Sequence, residues 1–236
     1  MKDIFADVFS GINKDFCDET NEMEYIDLDT WDRKRLFLNY LGTDFPYIII
    51  TSDVDVTKPL KFAHEHKISF NLVMVYLCSK VADSIKNYRY RFVEDRPFII
   101  RHSRPTLTHL IPGNDIFVMV EGPWPVDDIC EFCRITRERE QQAKPEEMQE
   151  LVRYKLDLIQ YSSMPWVRYT AFIRTIIHNG VDNAPKISFG KYYQDPTDRS
   201  RILMPVSSQT HHGLMDGKHV GMFYMKLQEA CDGLEV

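Results

Sequence analysis

No stretch of the 236-residue sequence approaches the about eighteen uninterrupted apolar residues that a membrane span requires. The run from Tyr47 to Thr51 is apolar but far too short. At the N-terminus, Met1-Lys2-Asp3-Ile4-Phe5 runs at once into Asp7, with none of the apolar centre of a secretory signal. Cysteine is sparse: five residues, an odd number, scattered at Cys17, Cys78, Cys130, Cys133 and Cys231, which argues against a disulfide framework. Positive charge is not in excess. The formal net charge is −6, against broad nucleic-acid binding, although a local basic patch for an anionic cofactor is still open. There is no internal repeat and no low-complexity segment. Together these absences lead to the expectation of a cytoplasmic globular protein without a membrane or nucleic-acid partner.

What is present suits such a chain. Hydrophobic residues make up 44% and charged residues 27%, ordinary values for one domain with at most a small appendage. Residues 1–24 read as an N-terminal extension: Ile4, Phe5, Val8 and Phe9 can share one face of a short helix, and Asp15–Glu24 is acidic. The main domain is expected over 25–236.

Within it, Asp29 or Thr30 can cap a helix with Asp32 in its first turn and Trp31, Phe37 and Tyr40 on its apolar side. Phe45–Val56 reads as a strand, and Thr57-Lys58-Pro59 as a helix start. After Ser69, Met74, Leu77, Cys78, Val81, Ala82 and Ile85 recur at helical spacing and predict one buried face. Short strands follow over Arg89–Val93, Phe98–Arg101, Thr106–Leu110 and Ile116–Val120. Asp127 to about Leu156 is charge-rich and helical, interrupted near Lys144-Pro145, with Arg137–Glu140 and Glu146–Glu150 as solvated faces. Cys130-Glu131-Phe132-Cys133 has the spacing of half a zinc site, but no second pair follows, and ordinary thiols are expected. Strands return over Val167–Ile177, Ile187–Tyr193 and Ile202–Ser207, with Asn179-Gly180 and Asp195–Asp198 as connections, and a last helix begins near Gly217. The sum is an α+β fold with helices packed on a largely antiparallel sheet.

The chemistry is concentrated at His211-His212-Gly213-Leu214-Met215-Asp216-Gly217. A neutral histidine can take a hydroxyl proton while the oxygen attacks a carbonyl, a service worth about 10²–10⁴-fold in rate. By spacing alone His212 could instead be a loop residue or join Asp216 on a metal, and Asp-Gly is a common turn signal.

The whole stretch resembles the HHxxxDG motif of the CoA-dependent acyltransferases of the chloramphenicol acetyltransferase family. The surrounding run is similar too: Leu203-Met204-Pro205-Val206, Gln209 ahead of His211, then His219-Val220 and Leu227-Gln228. Trp31-x-Arg33, Ser162-Ser163-Met164-Pro165-Trp166 and Gly190-Lys191-Tyr192 match further family motifs in order, so the resemblance covers about residues 25–232. It implies that fold and direct acetyl transfer from acetyl-CoA to a hydroxyl of chloramphenicol in a ternary complex. His212 is implied as general base, Ser162 as the hydroxyl that binds the oxyanion, and Ser188 as a holder of water near the intermediate. Asp216 is implied to pair with Arg33 as a structural anchor, and His211 and His219 are not implied as bases. Trp166, Lys191 and Tyr192 are implied to contact the coenzyme, and Tyr40 and Phe117 to line the acceptor pocket. No metal is implied, and the family's assembly is a homotrimer with sites between subunits.

Some positions depart from the pattern. Ser69, with Lys67 nearby, stands where the family has a lysine that approaches the coenzyme, and Asn39, Asp44 and Arg174 stand where it has apolar pocket residues. The alternatives are therefore an O-acetyltransferase with a more polar hydroxylated acceptor, or a non-catalytic trimeric relative. Joint retention of His212, Ser162, Asp216 and Arg33 speaks against the latter.

Overall fold

The computed structural model describes residues 17–235 except 19, 116, 145–154 and 178–181. The expectations for most of the 1–24 extension, Glu146–Glu150, Pro145 and Asn179-Gly180 therefore fall outside the described residues. The elements run β1 (Met23–Tyr25), α1 (Lys34–Leu41), β2 (Tyr47–Asp55), α2 (Thr57–Glu65), α3 (Phe70–Ser84), a 3-10 turn (Lys86–Arg89), β3 (Tyr90–Val93), β4 (Arg96–Ile100), β5 (Arg104–Leu110), β6 (Phe117–Glu121), α4 (Ile129–Gln142), β7 (Leu158–Ser163), β8 (Lys186–Phe189), β9 (Tyr193–Gln194), β10 (Ile202–His211) and α5 (Gly217–Asp232).

β10 is the strand that carries the motif into place. It pairs antiparallel with β2 from Leu203↔Asp55 to His211↔Tyr47, and with β8 on its other side. The large sheet has the order β2-β10-β8-β7-β5-β6, with β9 paired to β10. It is mixed, since β7 runs parallel to both β5 and β8. The alternation along β10 sorts its two faces. Met204 and Val206 enter the helical core, while Ser207 and Gln209 bond to the segment around Phe172–Arg174. A second, three-stranded sheet has the order β1-β4-β3. Asn21, just before it, donates to the His102 carbonyl and to Asp157.

The core lies between the large sheet and the helices. Ser69 caps α3 by accepting from the Leu72 N–H. The single buried face expected for α3 is too narrow a reading, because Leu72–Ser79, Val81 and Ala82 are all buried. α2, α4 and α5 pack around this helix and cover all but the side that carries Lys80 and Ser84.

The long helix runs to Gln142, ahead of the interruption expected near Lys144-Pro145, with Asp128 capping its start, and 145–154 lie outside the described residues. Three other expectations change. No residue of Asp29–Asp32 caps α1: Arg33 occupies the N-cap position without a side-chain cap, and its guanidinium is used elsewhere. Glu140 does not belong to a solvated face, for it is buried against Arg137 and His109. Val167–Ile177 forms no strand among the described residues. It lies across the sheet through isolated bonds, with Val167 and Ile173 51% and 59% exposed.

The motif turn is held by a small aromatic core separate from the main one. Trp31, Phe37, Tyr90, Phe92 and Leu214 are buried together. Ring centroids lie 5.4 Å apart for Trp31–Phe37, 5.3 Å for Trp31–Tyr90 and 5.4 Å for Phe37–Phe92. Edge-on and tilted contacts of this kind add about 0.5–1.5 kcal/mol each beyond the area buried. They press α1 onto the turn that follows β10.

Candidate active site

His211 is the last residue of β10 and His212 begins the turn. His211 is buried between Tyr47 and Phe92, and its Nδ1 accepts from the Gly213 N–H at 3.1 Å. It shapes the turn and does not face out. The His212 N–H donates to the Pro46 carbonyl at 2.7 Å. Its imidazole stacks on Tyr40 with centroids 4.2 Å apart at 13°, and Nδ1 lies 3.5 Å from Asp216 Oδ1. With one face covered and Nδ1 turned toward the carboxylate, Nε2 is the atom left for an incoming hydroxyl.

Asp216, the N-cap residue of α5, is gripped by Arg33, whose Nη1 donates to Oδ2 at 2.6 Å and Nη2 to Oδ1 at 3.3 Å. The same guanidinium donates to the carbonyls of His212 at 3.2 Å and Gly213 at 3.4 Å. Arg33 thereby ties α1 to both ends of the turn. Its bond to Asp216 holds that carboxyl below the usual carboxylate range.

A second group forms on the sheet. Ser162 on β7 and Ser188 on β8 are direct neighbours in register, and Ser188 is in turn paired with Ser207 of β10. Beside them a cleft of about 330 Å³ opens between the first turn of α3 and the ends of β7 and β8. Trp166, Lys191 and Tyr192 all line it, with Phe70 and Met74 as its apolar floor. Tyr192 meets Phe70 edge-on at 5.6 Å, and Trp166 is 69% exposed. Gly190 permits the close approach that shapes this rim, because a Cβ there would lie 2.6 Å from Pro205 Cγ and 2.9 Å from Tyr169. Ser69 is spent on capping α3 at the cleft's edge. His109 and Glu140 also line the cleft. Neither stood out in the sequence, since a single inward glutamate within a charged run leaves no signal.

The two groups are not adjacent within the chain. From Ser207, level with Ser162, to His212 is five residues along β10, and β7 lies two strands across. At about 3.3 Å per residue and 4.8 Å per strand, the separation is about 19 Å. Phe117 is likewise remote from Tyr40. It sits 54% exposed on β6, four strands from β10, or about 19 Å across the sheet. Asn39 and Asp44 are exposed. Arg174 is half-buried, donates Nη1 to the Gln160 carbonyl at 3.0 Å, and is pushed down to about 10 by burial.

Comparison with known proteins decides the family. The family model described as chloramphenicol acetyltransferase matches residues 21–228. The chain belongs to the chloramphenicol acetyltransferase family. Chloramphenicol acetyltransferase 2 of Escherichia coli is 27% identical over 89% of this chain and 97% of its own length. The chloramphenicol acetyltransferase of Clostridium perfringens is 24% identical over 89% and 95%. A solved chloramphenicol acetyltransferase structure superposes with a TM-score of 0.79 at 25% identity, covering 89% of this chain and 99% of that one. A dihydrolipoamide acetyltransferase from Azotobacter vinelandii shares the fold, with a TM-score of 0.61 at 14% identity and 86% coverage of each chain. The α+β acyltransferase fold and an enzyme of acyltransferase type follow for this chain. Among the described residues, no helix is long and apolar enough to cross a membrane.

Cys130 and Cys133 take no part in this arrangement. Cys130 Sγ lies 3.9 Å from His66 Nδ1, and burial pushes the Cys133 thiol up to about 12.

Proposed function

We propose that the chain transfers acetyl from acetyl-CoA to a hydroxyl of chloramphenicol by general-base catalysis. His212 Nε2 removes the hydroxyl proton as the oxygen attacks the thioester carbonyl. The Ser162 hydroxyl donates to the resulting oxyanion, and Ser188 holds a water beside it. Collapse of the intermediate expels the coenzyme thiolate, which takes its proton from the His212 imidazolium. The products are the acetyl ester and free thiol, with no acyl-enzyme. The observation that carries this reading is the His212 imidazole, stacked on Tyr40 with its Nδ1 3.5 Å from an Asp216 that Arg33 holds in place. The cleft lined by Trp166, Lys191 and Tyr192 suits the apolar arm and anionic end of acetyl-CoA.

One tetrahedral centre must touch both His212 and Ser162, which requires a donor within about 3 Å of the oxyanion. A separation of about 19 Å along the sheet forbids that within one chain. The reading therefore includes a homotrimer in which the base of one subunit meets the Ser162 face of the next, with Tyr40 and Phe117 brought together in the same way. The exposed Trp166, Val167, Ile173 and Phe117 are suited to such contacts.

A second acceptor is favoured by one observation. Arg174 is half-buried on the sheet face that carries Ser162, and Asp182, the carboxylate that acts on it, is already bonded to Lys186. A more polar hydroxylated acceptor would satisfy it. Thiol release from acetyl-CoA, measured with chloramphenicol beside a panel of other alcohols, separates the two acceptors. Release that survives H212A would overturn the mechanism.

A further inference from the structure

Helix α5 opens with a reciprocal cap. The Asp216 carbonyl accepts from the His219 N–H at 2.9 Å, and His219 Nδ1 accepts from the Asp216 N–H at 3.0 Å. Glutamate or glutamine commonly closes such a box. Histidine can do so only as the neutral ring with its proton on Nε2, because the protonated ring carries no acceptor.

The surroundings favour that neutral form. Burial first, and then the charges of Arg33 and Lys218, hold His219 below its ordinary value, against an opposing pull from Asp216. Asp216 is also the hinge of the site: its Oδ2 is bonded to Arg33, and its Oδ1 lies 3.5 Å from His212 Nδ1. A protonated His219 would set a donor against the Asp216 N–H. Its Nδ1, now 4.0 Å from Oδ2, would then compete with Arg33 and His212 for the carboxylate.

We propose that His219 is a positioning residue for the acyl transfer: as a neutral acceptor it fixes the Asp216 backbone, and through Asp216 the orientation of His212. This rests on the reading of His212 as the base. The cap differs from a helix stabiliser of no consequence to turnover in making the site depend on a second imidazole being unprotonated.

The test compares the full-length protein with H219A and H219Q. At about pH 7.5, H219A is expected to lose about ten- to a hundredfold in kcat, the cost of a misplacement near one ångström, with KM for acetyl-CoA changed less than about threefold. H219Q, which accepts without titrating, is expected to recover kcat to within about threefold of wild type. Below about pH 6.5, in the depressed range where His219 gains its proton, log kcat of the wild type should steepen toward a slope of two, while that of H219Q, which lacks this titration, stays at one. Nitrogen-15 spectra of the wild type should show His219 as the neutral Nε2–H tautomer. An H219A enzyme with wild-type kcat, an H219Q enzyme no better than H219A, or an Nδ1–H tautomer overturns the proposal. If H219A does not fold, a slope of two in H219Q overturns it instead. If the wild type acetylates no alcohol at all, the failure lies with the reading of His212. The cap is then judged by tautomer and melting point alone, and H219A melting with the wild type refutes it.

Discussion

Arg33 and Asp216, 183 residues apart in sequence, meet in a forked ion pair of 2.6 and 3.3 Å. Breaking a buried pair costs about 3–5 kcal/mol, but the Asp216 side chain is 34% exposed, so solvent screening brings the expected loss for D216N to about 1–2 kcal/mol. Turnover should fall at least about tenfold, because His212 loses its orienting carboxylate. The sign of the pH dependence follows from the depressed carboxyl of Asp216. Its contribution is complete above the unfolded carboxylate value of about 4 and is lost as pH falls through the folded one. The gap between wild type and D216N in urea melts should therefore close on acidification. A D216N protein that melts and turns over like the wild type would sink the anchor.

Ser162 is the second prediction. If its hydroxyl meets the oxyanion, S162A should lose about 10²–10³-fold in kcat, the usual cost of removing one such donor. KM for acetyl-CoA should hold, because the side chains lining the cleft are untouched. S188A should lose less, since a water replaces direct contact. Steady-state kinetics that leave S162A within about threefold of wild type would remove Ser162 from the mechanism.

Much of the scaffold around these residues was legible. α5 and β10 follow from the spacing of Val220, Phe223 and Leu227 and from the apolar run at Ile202–Val206, patterns set by local periodicity. Val167–Ile177 misleads because alternation reports an extended backbone with two unlike faces and is silent about which edge, if any, it pairs with. α3 misleads in the opposite sense: a helix covered on all but the side of Lys80 and Ser84 carries little contrast between faces. The pairing of Arg33 with Asp216 came only through the resemblance, since no local rule links positions so far apart. The distance from His212 to Ser162 depends on strand order and register, which no motif spacing encodes.

Gly190 gives a prediction of a different kind. An alanine Cβ there would lie 2.6 Å from the Pro205 ring, which belongs to β10, paired on both sides, and has little room to move. G190A should lose about 1–3 kcal/mol from overpacking. The strain should also shift Lys191 and Tyr192 at the cleft, raising KM for acetyl-CoA more than it lowers kcat. Thermal melts and coenzyme titrations check both. An unchanged KM would place the coenzyme away from this rim.

The separation of His212 from Ser162 can be tested by complementation. In the proposed trimer, H212A and S162A assemblies should each be nearly inactive, because every site in them lacks one of the two groups. Co-expressed under different tags and purified as mixed trimers, they should regain activity wherever an S162A subunit offers its His212 to the Ser162 of an H212A neighbour. Every mixed trimer, two-to-one or one-to-two, has that arrangement at one of its three interfaces, so recovery should approach about a third of the wild-type rate. Light scattering on the same samples should give three chains. Intrachain sites would leave the mixture as inactive as its parents, since no subunit carries both groups, and such a result would contradict the strand register that holds His212 and Ser162 apart.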